Sequence, residues 1–420
     1  MSTNQTQSDL PDGLLPVVDL DIFLADPESA AAQAESTKAA EALITYGALI
    51  VHDTRVTEEH NETFLSLLED YFAQPTEVLK QDERAEFGYQ VGVTLENTEK
   101  PKCAVDEPCL RVIERLAPSE RPLDINGHQP DPKCRFFWKM QTPPPYPTAF
   151  PSLNMTNVVP AAFAGTWEST LEAWGLKMKE AVEGVARMTA AGLGLDREAF
   201  TDAGKYGPHL LAPTASDLTK YGKKNTILAG PHLLAPTASD LTKYGKKDTI
   251  LAGFHSDLNF LTIHGRSRYP GLHIWARNSG RRIGVKVPAG RYLLVQAGKQ
   301  LEHLTGGLVK AGYHEVVVND GTLGHLTGGL VKAGYHEVVV NDGTLGAMER
   351  MRTQDPTRPL IRISSTFFWH LSSDFDLKPI PQLAEAATAK NALDEDKTNY
   401  EPMKVGTQVQ NELKHIALMA

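Results

Sequence analysis

The sequence predicts an α+β fold, mainly β, in which a sandwich or barrel of short strands carries helices on its outside. Three observations predict it. After residue 205, short β-prone runs alternate with glycine-bearing and charged turns, the pattern of a closed or double-layered sheet. Thr166 to Leu195 reads as one long amphipathic helix, with Leu171, Trp174, Met178, Val182 and Val185 at spacings of three and four. The preceding residues mix further helices with short strands and a proline-rich stretch.

In chain order, residues 1–14 are polar and read as a disordered leader. Leu15 to Leu20 (L-P-V-V-D-L) reads as a short strand, and the Ala-rich stretch Pro27 to Thr45 as a helix. Tyr46-Gly47 stops that helix before the apolar run Ala48 to Val51, a buried strand. A second helix is expected from Thr57 to Phe72, stopped by Pro75. Residues 100–160, with Pro143-Pro144-Pro145 at their centre, read as irregular extended chain. Beyond the long helix, strands are expected at 249–251, 260–263, 272–275, 282–287, 292–295, 314–318 and 361–368. The tail from Lys390 reads as helical, with Val405, Val409, Leu413 and Ile416 on one face. These segments divide into a leader (1–14), an N-terminal region (15–165), a core (166–380) and a helical tail (381–420).

Composition removes several classes. The chain has 420 residues, 41% of them hydrophobic, and a net charge of -10, so it can bury a core but offers no basic stripe for nucleic acid. The leader has no apolar run and no stretch approaches the length of a membrane span, so a soluble, cytoplasmic protein acting on a small molecule is expected, without membrane or nucleic-acid partners. Cys103, Cys109 and Cys134 form no C-x-x-C and read as reduced thiols.

Two segments are duplicated in tandem. Pro208–Gly230 recurs as Pro231–Gly253 with one change, Asn225 against Asp248, and His303–Gly324 recurs unchanged as His325–Gly346. Two copies do not make a solenoid, which needs stacked units. Near identity points to a recent duplication that adds a surplus segment to a complete domain. The copy 231–253 runs directly into Phe254 and is expected to supply the native strand, leaving 208–229 as surplus. In the second duplication, the first copy is expected to keep a continuous hairpin from Leu301 through Val318, with the surplus after it.

The chemistry-bearing residues lie in the β-rich half. In His255-Ser256-Asp257, positions i and i+2 of a strand share a face, so both side chains can reach one metal ion. A non-haem Fe(II) site needs two histidines and one carboxylate, with the remaining positions open. A second histidine comes from His314, with the identical His336 as the alternative. Arg362 and Ser364 share one face of a later strand, a guanidinium fork beside a hydroxyl that suits a carboxylate. His264 and His273 read as satisfied strand or turn residues.

The order H-x-D, then a histidine 57 residues after Asp257, then Arg362-Ile363-Ser364 before Thr366-Phe367-Phe368, resembles the isopenicillin N synthase-like dioxygenases. Tyr292 to Val295, Gly298 and Leu304 to Gly307 are similar to the strand before that family's distal histidine. In the N-terminal half, Leu15 to Leu20, Tyr46-Gly47, Tyr71-Phe72, Pro75, Lys80 and Gly88-Tyr89 are similar to the corresponding region. The resemblance spans about residues 15–380 and implies a distorted double-stranded β-helix (jelly roll) with surrounding helices. It implies Fe(II) on His255, Asp257 and His314 or His336, with 2-oxoglutarate on Arg362 and Ser364. Molecular oxygen would be the oxidant, 2-oxoglutarate would become succinate, and a small organic molecule would be hydroxylated, desaturated or cyclised. Many members carry an Asn-Tyr pair before the H-x-D; Leu233 to Thr237 offers none. Two alternatives stand beside this reading: an isopenicillin N synthase-type oxidase that uses no 2-oxoglutarate, and a descendant inactivated by the duplications.

Overall fold

The computed structural model describes residues 15–99, 107–122, 133–218, 250–317, 336–339, 342–390 and 399–415, with the backbone alone for 250–253, 313–317, 336–339 and 342–345. Local chemistry sets the helix ends. The Ser29 hydroxyl accepts from the Ala32 N–H at the head of the helix Ala30–Tyr46, and the Thr57 hydroxyl accepts from the His60 N–H at the head of Glu58–Phe72, each satisfying an orphan donor. Gly47 closes the first of these in the left-handed region, at φ 72°. A Cβ there would meet Arg277 Cγ at 2.9 Å and Gly312 Cα at 3.0 Å, so both conformation and space demand glycine. The long helix spans Trp167–Gly192 and buries Leu171, Trp174, Met178, Val182 and Val185, as the spacing predicts.

Seventeen strands are formed among the described residues: β1 (Val17–Asp19), β2 (Ala48–His52), β3 (Gly92–Thr94), β4 (Cys134–Lys139), β5 (Leu210–Leu211), β6 (Thr214–Asp217), β7 (Ile250–Ser256), β8 (Leu261–His264), β9 (Leu272–Trp275), β10 (Arg282–Gly284), β11 (Tyr292–Ala297), β12 (Tyr313–Val317), β13 (His336–Val339), β14 (Ile361–Ser364), β15 (Thr366–Trp369), β16 (Asp376–Leu377) and β17 (Met403–Lys404). A large mixed sheet runs β1-β2-β11-β8-β15-β5-β4-β6-β14, with β3 on β4. Within it, β14 and β15 continue a single antiparallel ladder against β6 and β5, from Ile361 opposite Asp217 to Phe368 opposite Leu210. A smaller sheet runs β10-β9-β12-β13-β7, and β12 also pairs directly with β7. A third, two-stranded sheet joins β16 to β17.

Alternation gives each sheet two different faces. On one face of the large sheet, Val51, Ile263, Val295, Ile361, Ile363, Phe367 and Trp369 join Leu43, Phe64, Trp174 and Met178 of the helices in the main core. On the other, Ala48, Ile50 and Leu294 pack against Ile274 and half-buried Ile283 of the small sheet. The two sheets therefore face each other. The far side of the small sheet is covered by the helix Glu107–Arg115, whose Cys109 and Ile113 pack with Phe254 and Trp275.

Several expectations are corrected. The helix Glu107–Arg115 and strand β4 lie in the stretch read as irregular; Pro108 sits in the first turn of the helix, where no N–H is needed, and β4 contains no proline. Of the segment 208–229 read as surplus, residues 208–218 belong to the fold: Leu210, Leu211 and Ala212 are buried and β5 and β6 pair with three neighbouring strands, while 219–249 lie outside the described residues. The expected hairpin from Leu301 is instead the helix Lys299–Leu304, a turn with Gly306 and Gly307 at positive φ, and then β12. Cys109 is disulfide-bonded rather than reduced, whereas Cys134 is not in a disulfide; Cys103 lies outside the described residues. The tail helix spans Val405–His415 and buries Val405, Val409 and Leu413; Ile416 lies outside the described residues. Among the described residues no helix is long and apolar enough to cross a membrane.

Candidate metal and co-substrate centre

Strand β7 delivers the first pair. Phe254 is turned to the covered side of the small sheet, so alternation turns His255 toward the space between the sheets. His255 Nε2 lies 3.7 Å from Asp257 Oδ1. The other carboxylate oxygen, Oδ2, accepts a hydrogen bond from Thr262 Oγ1 at 2.6 Å. Burial pushes the Asp257 carboxyl up, and His255 and the Thr262 hydroxyl oppose that push. One oxygen is thus held by the scaffold while the other stands beside the imidazole, an arrangement in which both can reach one cation.

The pairing gives the positions of both candidate distal histidines. His314 on β12 occupies the position opposite His255 on one neighbour and opposite Ile274 on the other. Directly opposed positions share a sheet face, and Ile274 packs toward the large sheet. His336 on β13 occupies the position beside Glu315 in the parallel pairing with β12, whereas β7 sets Val338 opposite Ala252, the residue that Val316 of β12 also faces. Among the described residues, three potential ligands gather elsewhere, at Asp19, Asp21 and His52. Those carboxylates have local work: Asp19 caps the helix Leu20–Ala25 and Asp21 accepts from Thr54.

The second wall is the ladder through β14 and β15. Ile361 and Ile363 point into the helix-covered core, so Arg362, Ser364 and Thr366 point between the sheets. Arg362 is 5% exposed. Its Nε is shielded from solvent and has no hydrogen-bond partner among the described residues, and burial pulls its pKa down to about 10. Thr366 Oγ1 lies 3.5 Å from Ser364 Oγ and 3.2 Å from His264 Nδ1. His264 Nε2 in turn lies 2.7 Å from Gln296 Nε2. Burial, followed by the charges of Arg362 and His255, pulls His264 down to about 3, so it is a neutral imidazole placed within the fields of both groups. Across the ladder, Ser216 is opposite Arg362 and Thr214 is opposite Ser364. A buried guanidinium with no carboxylate partner costs several kcal/mol; an anion delivered from outside removes that cost.

The residues missed by sequence reasoning are His264, Gln296, Thr262 and Thr366. Their signal is a polar residue at every second position of otherwise apolar strands, as in Leu261-Thr262-Ile263-His264, which marks a wet or ligand-lined interior face.

No family model matches the sequence, and no curated protein matches it. Solved structures do match. A Caulobacter crescentus protein assigned to the 2OG-Fe(II) oxygenase family aligns with TM-score 0.61 at 17% identity, over 96% of this chain and 99% of that one. A full-length Neurospora crassa protein, in complex with alpha-KG, aligns with TM-score 0.61 at 16% identity, over 97% and 98%. JOX2, in complex with 2OG, Fe and JA, aligns with TM-score 0.55 at 14% identity, over 98% and 91%. The chain has the fold of the 2OG-Fe(II) oxygenases. At these identities the likeness is one of fold, and the chemistry rests on the side chains between the sheets.

Proposed function

We propose that this chain is a non-haem Fe(II), 2-oxoglutarate-dependent oxygenase that oxidises a small organic molecule, within an isopenicillin N synthase-like, distorted double-stranded β-helix. One observation carries the reading: a buried guanidinium with no counter-ion among the described residues, Arg362, shares the space between the sheets with the His255/Asp257 pair. The binding of alpha-KG by one structural neighbour, and of 2OG and Fe by another, supports it.

In this reading His255, Asp257 and His314 hold Fe(II), and His314 is preferred to His336 because it lies directly opposite His255. Arg362 and Ser364 take the distal carboxylate of 2-oxoglutarate, the bidentate recognition to which a planar guanidinium is suited. The metal and co-substrate, with oxygen, supply the oxidising chemistry when bound. The chain supplies the rest. Thr262 fixes the Asp257 carboxylate, Gln296 and Thr366 fix the neutral His264 ring beside the co-substrate site, and the facing sheets exclude bulk water.

Anaerobic addition of Fe(II) and then 2-oxoglutarate tests this. A weak visible charge-transfer band is expected, together with succinate release in air. Absence of the band in folded protein overturns the assignment; a substrate oxidised without succinate formation supports the oxidase alternative instead.

A further inference from the structure

A second arginine faces the space between the sheets. The register puts Thr94 opposite Arg135, Arg135 opposite Thr214, and Thr214 opposite Ser364. These four positions form one cross-strand row on the same face as Arg362. Arg135 and Ser364 are separated by a single intervening strand, about 10 Å at ordinary strand spacing.

Arg135 has a neighbouring acid but is not consumed by it. Its Nη1 contacts Glu99, and Lys133 reaches the other Glu99 oxygen at 3.4 Å. Its side chain is 12% exposed, and its Nε and Nη2 are shielded from water without a hydrogen-bond partner among the described residues. Those two donors form the edge of a guanidinium that takes a carboxylate side-on. The Thr94 hydroxyl, one strand away in the same row, is buried and has no partner among the described residues either. Burial disfavours the Glu99 charge, yet Arg135 and Lys133 outweigh it and hold Glu99 below the usual carboxylate range.

The cluster lies within electrostatic reach of the metal pair. The charge of His255 acts on Glu99, and that of Lys133 on Asp257. Its floor is apolar: the Arg135 guanidinium lies 3.8 Å from the Phe137 ring centroid, and Phe137 packs with Leu210, Ala212 and Phe368 on that face.

We propose that Arg135 and Thr94 hold the carboxylate of the primary substrate, a small monocarboxylate with an apolar body, while Arg362 holds the co-substrate. The assignment of Arg362 rests on the oxygenase reading above; the anion site at Arg135 stands on its own geometry.

The test is calorimetric titration of the anaerobic Fe(II)- and 2-oxoglutarate-loaded protein, and of the metal-free protein, with phenylacetate, hexanoate and their primary amides. At least one carboxylate is expected to bind at one site about tenfold more tightly than its amide, and Arg135→Met to weaken it by about tenfold or more. Thr94→Val removes a hydroxyl that has no partner among the described residues, so its fold is expected to persist, and it should weaken the same carboxylate several-fold. Neither variant should move the 2-oxoglutarate affinity. Carboxylates that bind no better than amides, or carboxylate affinities unchanged in both variants, overturn the proposal. So does loss of 2-oxoglutarate affinity in Arg135→Met, which would make Arg135 a co-substrate residue. If the charge-transfer band never forms while carboxylates bind in an Arg135-dependent way, the oxygenase reading fails and the anion site survives.

Discussion

Among individual side chains, the space between the sheets holds cations that no carboxylate of the described residues fully answers. Arg362 is the clearest. Its neighbours are Ser216, Ser364 and the neutral His264, none of which neutralises a guanidinium. Arg362→Ala should therefore weaken 2-oxoglutarate binding by about 2 to 4 kcal/mol, the range for truncating a buried charge-paired contact, read from titration of the visible band. An unchanged affinity would move the co-substrate elsewhere. Lys139 gives a separate handle. It is buried, donates to the Leu153 carbonyl at 2.8 Å, and burial pulls its pKa down to about 7. Below that pH the ammonium is charged in both folded and unfolded chains, and the fold bears the full burial cost. As pH rises toward the unfolded lysine value of about 10, the folded state sheds the proton first, so this group makes folding stability rise with pH over that window. Urea unfolding at about pH 6 and about pH 9 should show wild type gaining on Lys139→Met by ~2 kcal/mol. Parallel stability profiles would mean that Lys139 titrates normally.

Among the strands and helices, the proposed choice of His314 rests on its place opposite His255. His314 and His336 have the same neighbours in sequence, so composition and spacing could not rank them on chemistry. Pairing offers a criterion, because directly opposed positions share a sheet face and His314 is opposite His255. His314→Ala should abolish Fe(II) binding, whereas His336→Ala should leave the anaerobic band within about twofold of wild type, since substitutions away from the site are mostly near neutral. The reverse pattern would show that β13, not β12, supplies the ligand. The same logic explains what was legible. Thr57, Gly47 and the Leu171–Val185 stripe encode their helices locally, through a cap, a left-handed stop and a period. Arg362-Ile363-Ser364 encodes its two faces by alternation. Strand β4 was not legible, because Cys-Arg-Phe-Phe-Trp-Lys sits among prolines and its polar Arg135 and Lys139 look like surface charges until β5 and β6 are laid beside it. Strands β5 and β6 were hidden by the duplication, since either copy of His-Leu-Leu-Ala satisfies the same pattern and only pairing with β14 and β15 chooses one.

Across the chain as a unit, the fold draws on the beginning of one copy and the end of the next. In the first duplication, β5 and β6 come from the opening of copy one, and β7 continues from the close of copy two. In the second, β12 comes from copy one, and β13 and the helix Asp342–Gln354 from copy two. Because the copies match almost residue for residue, excising 219–241 joins Leu218 to Thr242 and restores one uninterrupted unit between β6 and β7. Excising 318–339 likewise joins Val317 to Val340, retains His314 and removes His336. Strand β12 already pairs with both β9 and β7, so removing β13 leaves the small sheet continuous. Closure entropy changes only slowly with loop length. The doubly excised chain should therefore unfold within about 1 kcal/mol of the full chain and keep its Fe(II) and 2-oxoglutarate band. If excision of 318–339 abolishes the band while 219–241 can be removed freely, one copy of the second repeat does not suffice for the centre, since the shortened chain still carries one complete copy with its histidine.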